Sequence, residues 1–157
     1  MEKIASFTID HIKLQPGVYV SRVDRIGAEK ITTFDLRMTS PNEEPVMNTA
    51  EMHTMEHLAA TCLRNEPNWK SKVIYFGPMG CQTGFYLLVR NAENENVLSV
   101  VKDVLRSIIA HDGEMFGAVR RECGNYKNLS LDAAKAECRR YLESLGKAKH
   151  RFDYPTE

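Results

Sequence analysis

The segment TFDLRM, residues 33–38, alternates polar and apolar side chains along its whole length. A period of two residues is the pattern of a β-strand with one buried face, because successive strand side chains point to opposite sides. Arg37 therefore points away from the apolar face, toward solvent or a functional site. A second strand is predicted in the same stretch, between residues 18 and 38, and Gly27 marks the turn that joins the two.

A helix and a second pair of strands are predicted after this hairpin. Asn48 and Glu51 have the spacing of a capping box, so a helix is predicted to begin near Asn48 and to end at about Asn65. Short β-rich runs at 73–76 and 85–89 flank a turn that contains Gly-Pro. Two strands joined by this turn are therefore predicted.

Two further helices complete the predicted set. Apolar residues recur at helical spacing from residue 97 to 109, which predicts an amphipathic helix. The last helix is predicted to begin at the N-cap Ser130, with Gly146 in the C′ position after its end. Because strands and helices do not alternate strictly, the pattern favours an α+β fold, an antiparallel sheet with helices packed on it.

Length and composition exclude several classes of protein. The chain has 157 residues, so one domain covering 1–157 is expected. Lys plus Arg and Asp plus Glu both number 21, and this balance argues against a nucleic-acid or anionic-membrane partner. No apolar segment reaches the roughly 20 residues of a membrane span. The start of the chain has no apolar signal-peptide region, so we expect a cytoplasmic protein.

The motif HTMEH, residues 53–57, lies inside the first predicted helix. At about 100° per residue, His53 and His57 share one face, one turn apart, where two imidazoles can bind one metal ion. Glu56 is close enough to carry a proton. The alternative interpretation is a polar helix face that happens to hold two histidines. The residue order also matches the His-x-x-Glu-His zinc peptidases, so a small metallopeptidase is one candidate function.

A catalytic metal site usually needs a third protein ligand, and the sequence offers two candidates. Cys123 lies in a polar loop directly after two arginines and a glutamate, and the arginines favour its thiolate. Glu137 on the last predicted helix is the other candidate, and it is also explained as a solvated helix residue. Two histidines and a cysteine would suit zinc or ferrous iron and would leave one position for water or substrate.

The remaining cysteines are interpreted separately. Cys81 lies on a tight turn with glycines on both sides, where functional residues are often presented, but a turn-packing cysteine is equally consistent. Cys62 and Cys138 fall on helical stripes and are predicted to be structural. None of the four cysteines forms a Cys-x-x-Cys pair, and disulfides are disfavoured in a reducing cytosol.

Together these segments make the chain resemble the S-ribosylhomocysteine lyase (LuxS-type) family over essentially its full length. The matching segments are SFTIDH (6–11), FDLR (34–37), HTMEH (53–57), GPMGCQTG (77–84) and CGNY (123–126). The helix motif alone is ambiguous, but its combination with the turn and the Cys-Gly loop is highly specific.

The resemblance implies a metal site and an acid/base pair. It implies that His53, His57 and Cys123 hold one divalent metal per subunit, natively ferrous iron and often zinc after purification. It further implies that Glu56 and Cys81 are the acid/base pair. Family members have an α+β fold similar in outline to some processing-peptidase domains.

The resemblance also implies a substrate and an assembly. Ser6, His11 and Arg37 match positions that bind substrate or assist proton transfer, and family members are homodimers with active sites at the subunit interface. The implied reaction converts S-ribosylhomocysteine to homocysteine and 4,5-dihydroxy-2,3-pentanedione, the precursor of autoinducer-2. Moving the sugar carbonyl requires repeated removal and return of protons, which two proton carriers can perform before β-elimination.

Two rival functions make different demands on the same residues. A small metallopeptidase would need Glu137 or a neighbour as third ligand and would leave Cys81 without a task. A non-catalytic binding protein with a structural metal would account for Cys123, but it would not explain Glu56 beside an open coordination position.

Overall fold

The computed structural model of the chain describes residues 1–148 and 152–155, and in these ranges it contains four strands and three α-helices. The strands are β1 (Gly17–Ile26), β2 (Glu29–Arg37), β3 (Val73–Pro78) and β4 (Gly84–Arg90). The helices are α1 (Thr49–Asn65), α2 (Asn94–Ala110) and α3 (Leu131–Lys147), with a short 3-10 helix at Ala5–Phe7. No described helix is long and apolar enough to cross a membrane.

The four strands form one antiparallel sheet in the order β1-β2-β4-β3, which confirms the predicted α+β class. Strand β2 lies in the middle of the sheet, and its apolar residues Phe34 and Leu36 are buried in a core that all three helices share. The opposite face of β2 carries Asp35, which pairs across the sheet with Tyr19 of β1 and with Tyr86 of β4.

At Asp35 and Arg37 the opposite face of β2 is buried as well, which corrects part of the prediction for Arg37. Arg37 does point away from the apolar core, but its side chain is only 3% exposed and does not face solvent. It forms an ion pair with Asp35, whose side chain is fully buried. Period-two patterning identifies the face on which a side chain lies, but it does not show what covers that face.

Helix α1 begins and ends where the sequence predicts. Asn48 is its N-cap, and its side chain accepts a 2.9 Å hydrogen bond from the backbone N–H of Glu51. The Glu51 carboxylate accepts the reciprocal bond from the Asn48 backbone, which completes the capping box. The helix ends at Asn65, with Glu66 as its C-cap.

Helix α3 departs from the prediction at its C-terminal end. Ser130 is the N-cap, as expected, although its side chain makes no capping hydrogen bond. Gly146 is not the C′ residue, because it lies inside the helix, which continues to Lys147. The C-cap Ala148 has an extended backbone, so this end needs no left-handed residue, and Lys147 adds an ion pair with Glu143 one turn earlier.

The two cysteines predicted to be structural do lie in or against the core. Cys138 on α3 is fully buried, and burial raises the pKa of its thiol to about 12. Cys62 on α1 is partly buried and packs against the same core. Burial also raises the pKa of the Cys62 thiol, so both groups are weak nucleophiles near neutral pH.

Candidate metal centre and the buried network beside the turn

Helix α1 presents His53 and His57 side by side. Their ring centroids lie 4.4 Å apart, and the two ring planes are inclined at 81°. The i, i+4 spacing brings the two imidazoles together on one face of the helix, as the sequence predicts. Both side chains are partly buried.

Backbone carbonyl groups fix the orientation of both rings. The Nδ1 atom of His53 lies 2.9 Å from the carbonyl oxygen of Asn128, and Nδ1 of His57 lies 3.1 Å from that of Phe116. A carbonyl oxygen only accepts hydrogen bonds, so Nδ1 is the protonated nitrogen in each ring. The Nε2 atoms therefore keep their lone pairs, which is the tautomer that a metal ligand requires.

The sulfur of Cys123 lies beside the two imidazoles. It lies 3.4 Å from Nε2 of His53, and the ligand atoms of His53, His57 and Cys123 all lie within 4.8 Å of one another. A tetrahedral ion with bonds of about 2.0–2.3 Å holds its ligands roughly 3.5 Å apart, so the spacing fits one ion. We call these three residues the metal cluster. Among the described residues it is the one group of three with this geometry.

The rival ligand Glu137 is engaged elsewhere. Its carboxylate forms a two-point pair with the Arg140 guanidinium one turn along α3. Arg140 also donates to the backbone carbonyl of Met38, so the pair ties α3 to the end of β2. Glu137 therefore has a structural partner. Of the two residues that the sequence offered beside the histidines, Cys123 is the one that lies with them.

The loop between α2 and α3 folds over α1 and carries the two carbonyl acceptors. Gly117 has a φ of +79°, and a Cβ atom there would lie 2.6 Å from the His57 ring. Its N–H donates to the Glu122 carboxylate at 2.9 Å. At the other end of the loop the N–H of Ser130 donates to the Thr54 hydroxyl, inside the helix motif. The sequence did not predict that this loop would position the two histidines. The one signal for a close approach of the loop to α1 is the glycine at position 117.

Glu56 lies on α1 next to His57 and is partly buried. Within residues 1–148 and 152–155, its carboxylate makes no hydrogen bond or ion pair. A carboxylate without a fixed partner keeps its lone pairs for a ligand. Glu56 can therefore take up and return a proton at whatever binds beside the metal cluster.

The turn after β3 joins two more of the predicted site residues. Cys81 is exposed, and its sulfur lies 3.0 Å from the hydroxyl oxygen of Thr83. Arg37 donates from Nη1 to the same hydroxyl at 2.6 Å and from Nε and Nη2 to the two Asp35 carboxylate oxygens. We call Asp35, Arg37, Thr83 and Cys81 the strand network.

The strand network keeps its guanidinium charged. Burial opposes the charge on Arg37, but the attraction of the Asp35 carboxylate and its hydrogen bonds outweigh this, so the Arg37 pKa is raised. Arginine has no acceptor, so Thr83 must accept from it and keeps its own hydrogen free. When the Cys81 thiol is ionised, Thr83 is the group that donates to the sulfur.

Ser6 and His11 belong to the N-terminal segment that precedes β1. Ser6 is in the 3-10 helix and lines a shallow recess with Ser21 and Thr33 of the sheet. Nδ1 of His11 hydrogen-bonds to the carbonyl oxygen of Ile9 at 2.9 Å. In the part of the chain that the structure describes, no hydrogen bond or ion pair joins either side chain to the metal cluster, Glu56 or Cys81.

Comparison with known proteins gives one consistent family. The family model described as S-Ribosylhomocysteinase (LuxS) matches residues 4–151. A Clostridium acetobutylicum protein is 51% identical over 157 residues, which is 99% of each chain. A Finegoldia magna protein is 51% identical over 95% of each chain, and one from Phocaeicola vulgatus is 46% identical over 100% of this chain and 99% of its own. All three are named S-ribosylhomocysteine lyase.

Proposed function

The chain belongs to the S-ribosylhomocysteinase (LuxS) family, and we propose that it cleaves S-ribosylhomocysteine to homocysteine and 4,5-dihydroxy-2,3-pentanedione. The second product is the precursor of autoinducer-2. The observation that carries the proposal is the metal cluster. In it, two helix histidines whose Nε2 atoms keep their lone pairs lie beside the sulfur of Cys123. The metallopeptidase alternative is not favoured, because Glu137 is paired with Arg140.

We propose that the metal cluster binds one divalent ion per chain through Nε2 of His53, Nε2 of His57 and Sγ of Cys123. Two imidazoles and a thiolate form a borderline-soft donor set, which supports ferrous iron in the cell and zinc as an ion that purified protein can carry. The bound ion supplies Lewis acidity that polarises the sugar carbonyl. The backbone N–H of Asn125 donates to the Cys123 sulfur at 3.4 Å and helps to hold the sulfur in place.

Glu56 and Cys81 are proposed as the two proton carriers. Carbonyl migration removes a proton from one sugar carbon and returns a proton to its neighbour, so carriers on separate elements can act at different carbons. Elimination then removes a proton beside the carbonyl, breaks the carbon–sulfur bond and releases homocysteine, whose sulfur ends as a thiol. Support for these two roles comes from the Glu56 carboxylate, which has no hydrogen-bond partner among the described residues, and from the Thr83 hydroxyl beside the Cys81 sulfur.

Ser6, His11 and Arg37 are proposed to bind substrate in a homodimer whose active sites lie at the subunit interface. Support comes from the N-terminal segment, where Ile4, Phe7 and Ile12 are 59, 70 and 79% exposed. Large apolar side chains clustered in this way mark a protein interface. A second copy that covers them would carry its own Ser6 and His11 along, which explains why one chain leaves these residues apart from the metal cluster.

We also propose that residues 1–157 form one domain that acts in the cytoplasm. The family match over 4–151 supports the single domain, and free thiols at all four cysteines fit a reducing compartment. Homocysteine released there would return to the activated methyl cycle for methionine. The pentanedione would supply quorum sensing in an organism that uses the autoinducer-2 signal.

The test is homocysteine release from S-ribosylhomocysteine by the anaerobically prepared, metal-loaded protein. A thiol-reactive dye should report many thiols per chain, well above the four that the protein itself contains. The same preparation stripped of metal by a chelator is the control and should release almost none. Peptide cleavage without thiol release would establish the peptidase instead, and metal binding without either reaction would leave a structural metal.

A further inference from the structure

The segment after α3 returns to the sheet and places Tyr154 against β1. The carbonyl oxygen of Phe152 accepts a 2.7 Å hydrogen bond from the Val20 N–H on the free edge of β1. The Tyr154 ring then stacks on Tyr19, with centroids 5.1 Å apart and planes inclined by 13°. These contacts hold Tyr154 on the same face of the sheet as Asp35, because Tyr19 and Asp35 are cross-strand partners.

The Tyr154 hydroxyl enters the strand network at its buried end. It donates to Oδ2 of Asp35 at 2.8 Å, the same oxygen that accepts from Nη2 of Arg37. Burial and the Asp35 charge raise the pKa of Tyr154, so the phenol stays protonated and remains a donor at neutral pH. The carboxylate thus has three donors: two from Arg37 and one from Tyr154.

A continuous path of hydrogen bonds runs from this phenol to the exposed thiol. Asp35 orients Arg37 with a fork of two bonds, which leaves Nη1 aimed at Thr83. Because Thr83 accepts that bond, its own hydrogen is available to the Cys81 sulfur 3.0 Å away. A shift of the carboxylate therefore moves the guanidinium fork and, through it, the hydroxyl that faces the sulfur.

We propose that Tyr154 is a positioning residue for Cys81, acting through Asp35, Arg37 and Thr83. The proposal rests on the acid/base role proposed for Cys81 and extends that machinery to a segment outside every motif of the sequence. Without the phenol, the Asp35 carboxylate is held by its two hydrogen bonds from Arg37 alone. The carboxylate and the Arg37 guanidinium are then positioned less firmly. The Thr83 donor then stabilises the Cys81 thiolate less well.

The measurement is the rate of Cys81 alkylation by iodoacetamide as a function of pH. The metal-loaded protein is used, and the modified peptide is quantified by mass spectrometry so that the other cysteines do not interfere. Among the described residues, Arg37 on β2 and Tyr86 on β4 interact electrostatically with Cys81, and none of the variants below changes them. Alkylation needs no substrate, so the result does not depend on whether S-ribosylhomocysteine is cleaved.

We expect Tyr154→Phe to move the pH profile of Cys81 alkylation upward by about half a pH unit, which is a roughly threefold slower reaction on the rising part of the profile. Tyr19→Phe is the matched control, because it removes a phenol from the same ring stack whose hydroxyl, among the described residues, bonds to the Gln15 carbonyl and not to Asp35. The control should keep the parental profile. A parental profile in Tyr154→Phe, or an equal shift in both variants, would overturn the proposal.

Thr83 supplies a second test that does not depend on how well Tyr154→Phe folds. Thr83→Val removes the hydroxyl that connects Arg37 to Cys81 and should shift the alkylation profile at least as far. Thr83→Ser keeps the hydroxyl and should restore it. A parental profile in Thr83→Val would show that the path of hydrogen bonds does not reach Cys81. That result would also contradict the proposed role of Tyr154.

Discussion

The metal cluster and the strand network hold their side chains by different means. In the metal cluster, the orienting partners of His53 and His57 are backbone carbonyls of a loop that has neither helix nor strand, and the ligands are partly exposed. In the strand network, the partners are side chains of β2 and of the turn that precedes β4, and Asp35 and Arg37 are 0 and 3% exposed. The first depends on a loop and an ion, whereas the second depends on the folded sheet. Damage to the first should therefore appear as lost metal, and damage to the second as lost stability.

The largest expected effect separates the two cysteines. Cys123→Ala removes a ligand, so we expect most bound metal and nearly all turnover to be lost, because a coordinating thiolate contributes directly to affinity. Cys81→Ala is the matched control in the strand network and should keep one metal per chain while turnover falls close to zero. Metal content and homocysteine release are measured on both purified variants. If Cys81→Ala were metal-free and Cys123→Ala loaded, the two assignments would have to be exchanged.

Glu56→Gln tests proton transfer beside an intact metal cluster. The amide keeps the shape of the side chain but cannot carry the proton, so turnover should fall by about 10²–10⁴-fold. Metal content should stay at the parental level, since Glu56 is not a member of the cluster. Steady-state kinetics of homocysteine release and metal analysis are made on the same preparation. Parental turnover would exclude Glu56 as an essential base.

Asp35→Asn tests the strand network for stability. It leaves the Arg37 charge buried without a counter-charge, so the free energy of unfolding should fall by about 3–5 kcal/mol. Asp103→Asn is the matched control, because Asp103 also pairs with an arginine but both side chains are more than half exposed. That variant should change stability by less than about 1 kcal/mol. Urea denaturation of both variants gives the comparison, and equal losses would contradict it.

Gly117→Ala should have the smallest effect and should act on metal binding. The new methyl group would press on the His57 ring, and the residue would have to hold a φ of +79°. We expect metal affinity to fall by roughly 10-fold through the displaced imidazole, as for other changes beside a ligand. Gly124→Ala is the control in the same loop region, since a Cβ atom there meets nothing within 4 Å. Competition with a chelator measures the metal affinity of both variants. Equal affinities would show that Gly117 does not help to position His57.

The difference between the two regions also explains what the sequence could predict. The i, i+4 histidines and the Asn48 capping box are local patterns, and both are confirmed because helix geometry alone brings their members together. The third ligand remained open between Cys123 and Glu137, because a loop without periodicity determines which of them reaches α1. Arg37 could be assigned to a face of its strand but not to a partner.

The contacts that the sequence could not predict depend on register and loop shape. Arg37 meets Thr83 only because β2 and β4 pair with Arg37 opposite Gly84. Tyr154 reaches Asp35 because the chain returns to the sheet after α3, and no motif marks that return. The prediction for Gly146 was wrong because glycine favours the end of a helix but does not require one there.

The carbonyl groups that orient the two histidines have a further consequence for how this protein can diverge. Every residue has a carbonyl, so a substitution at Phe116 or Asn128 leaves the hydrogen bond to the ring in place. The Phe116 side chain is itself 73% exposed, so its replacement removes little packing within the chain. An insertion or a deletion between α2 and α3 has a different effect. It would move the carbonyl groups of residues 116 and 128 away from the histidine rings of α1. The number of residues in this loop is therefore under tighter constraint than the identity of most of them.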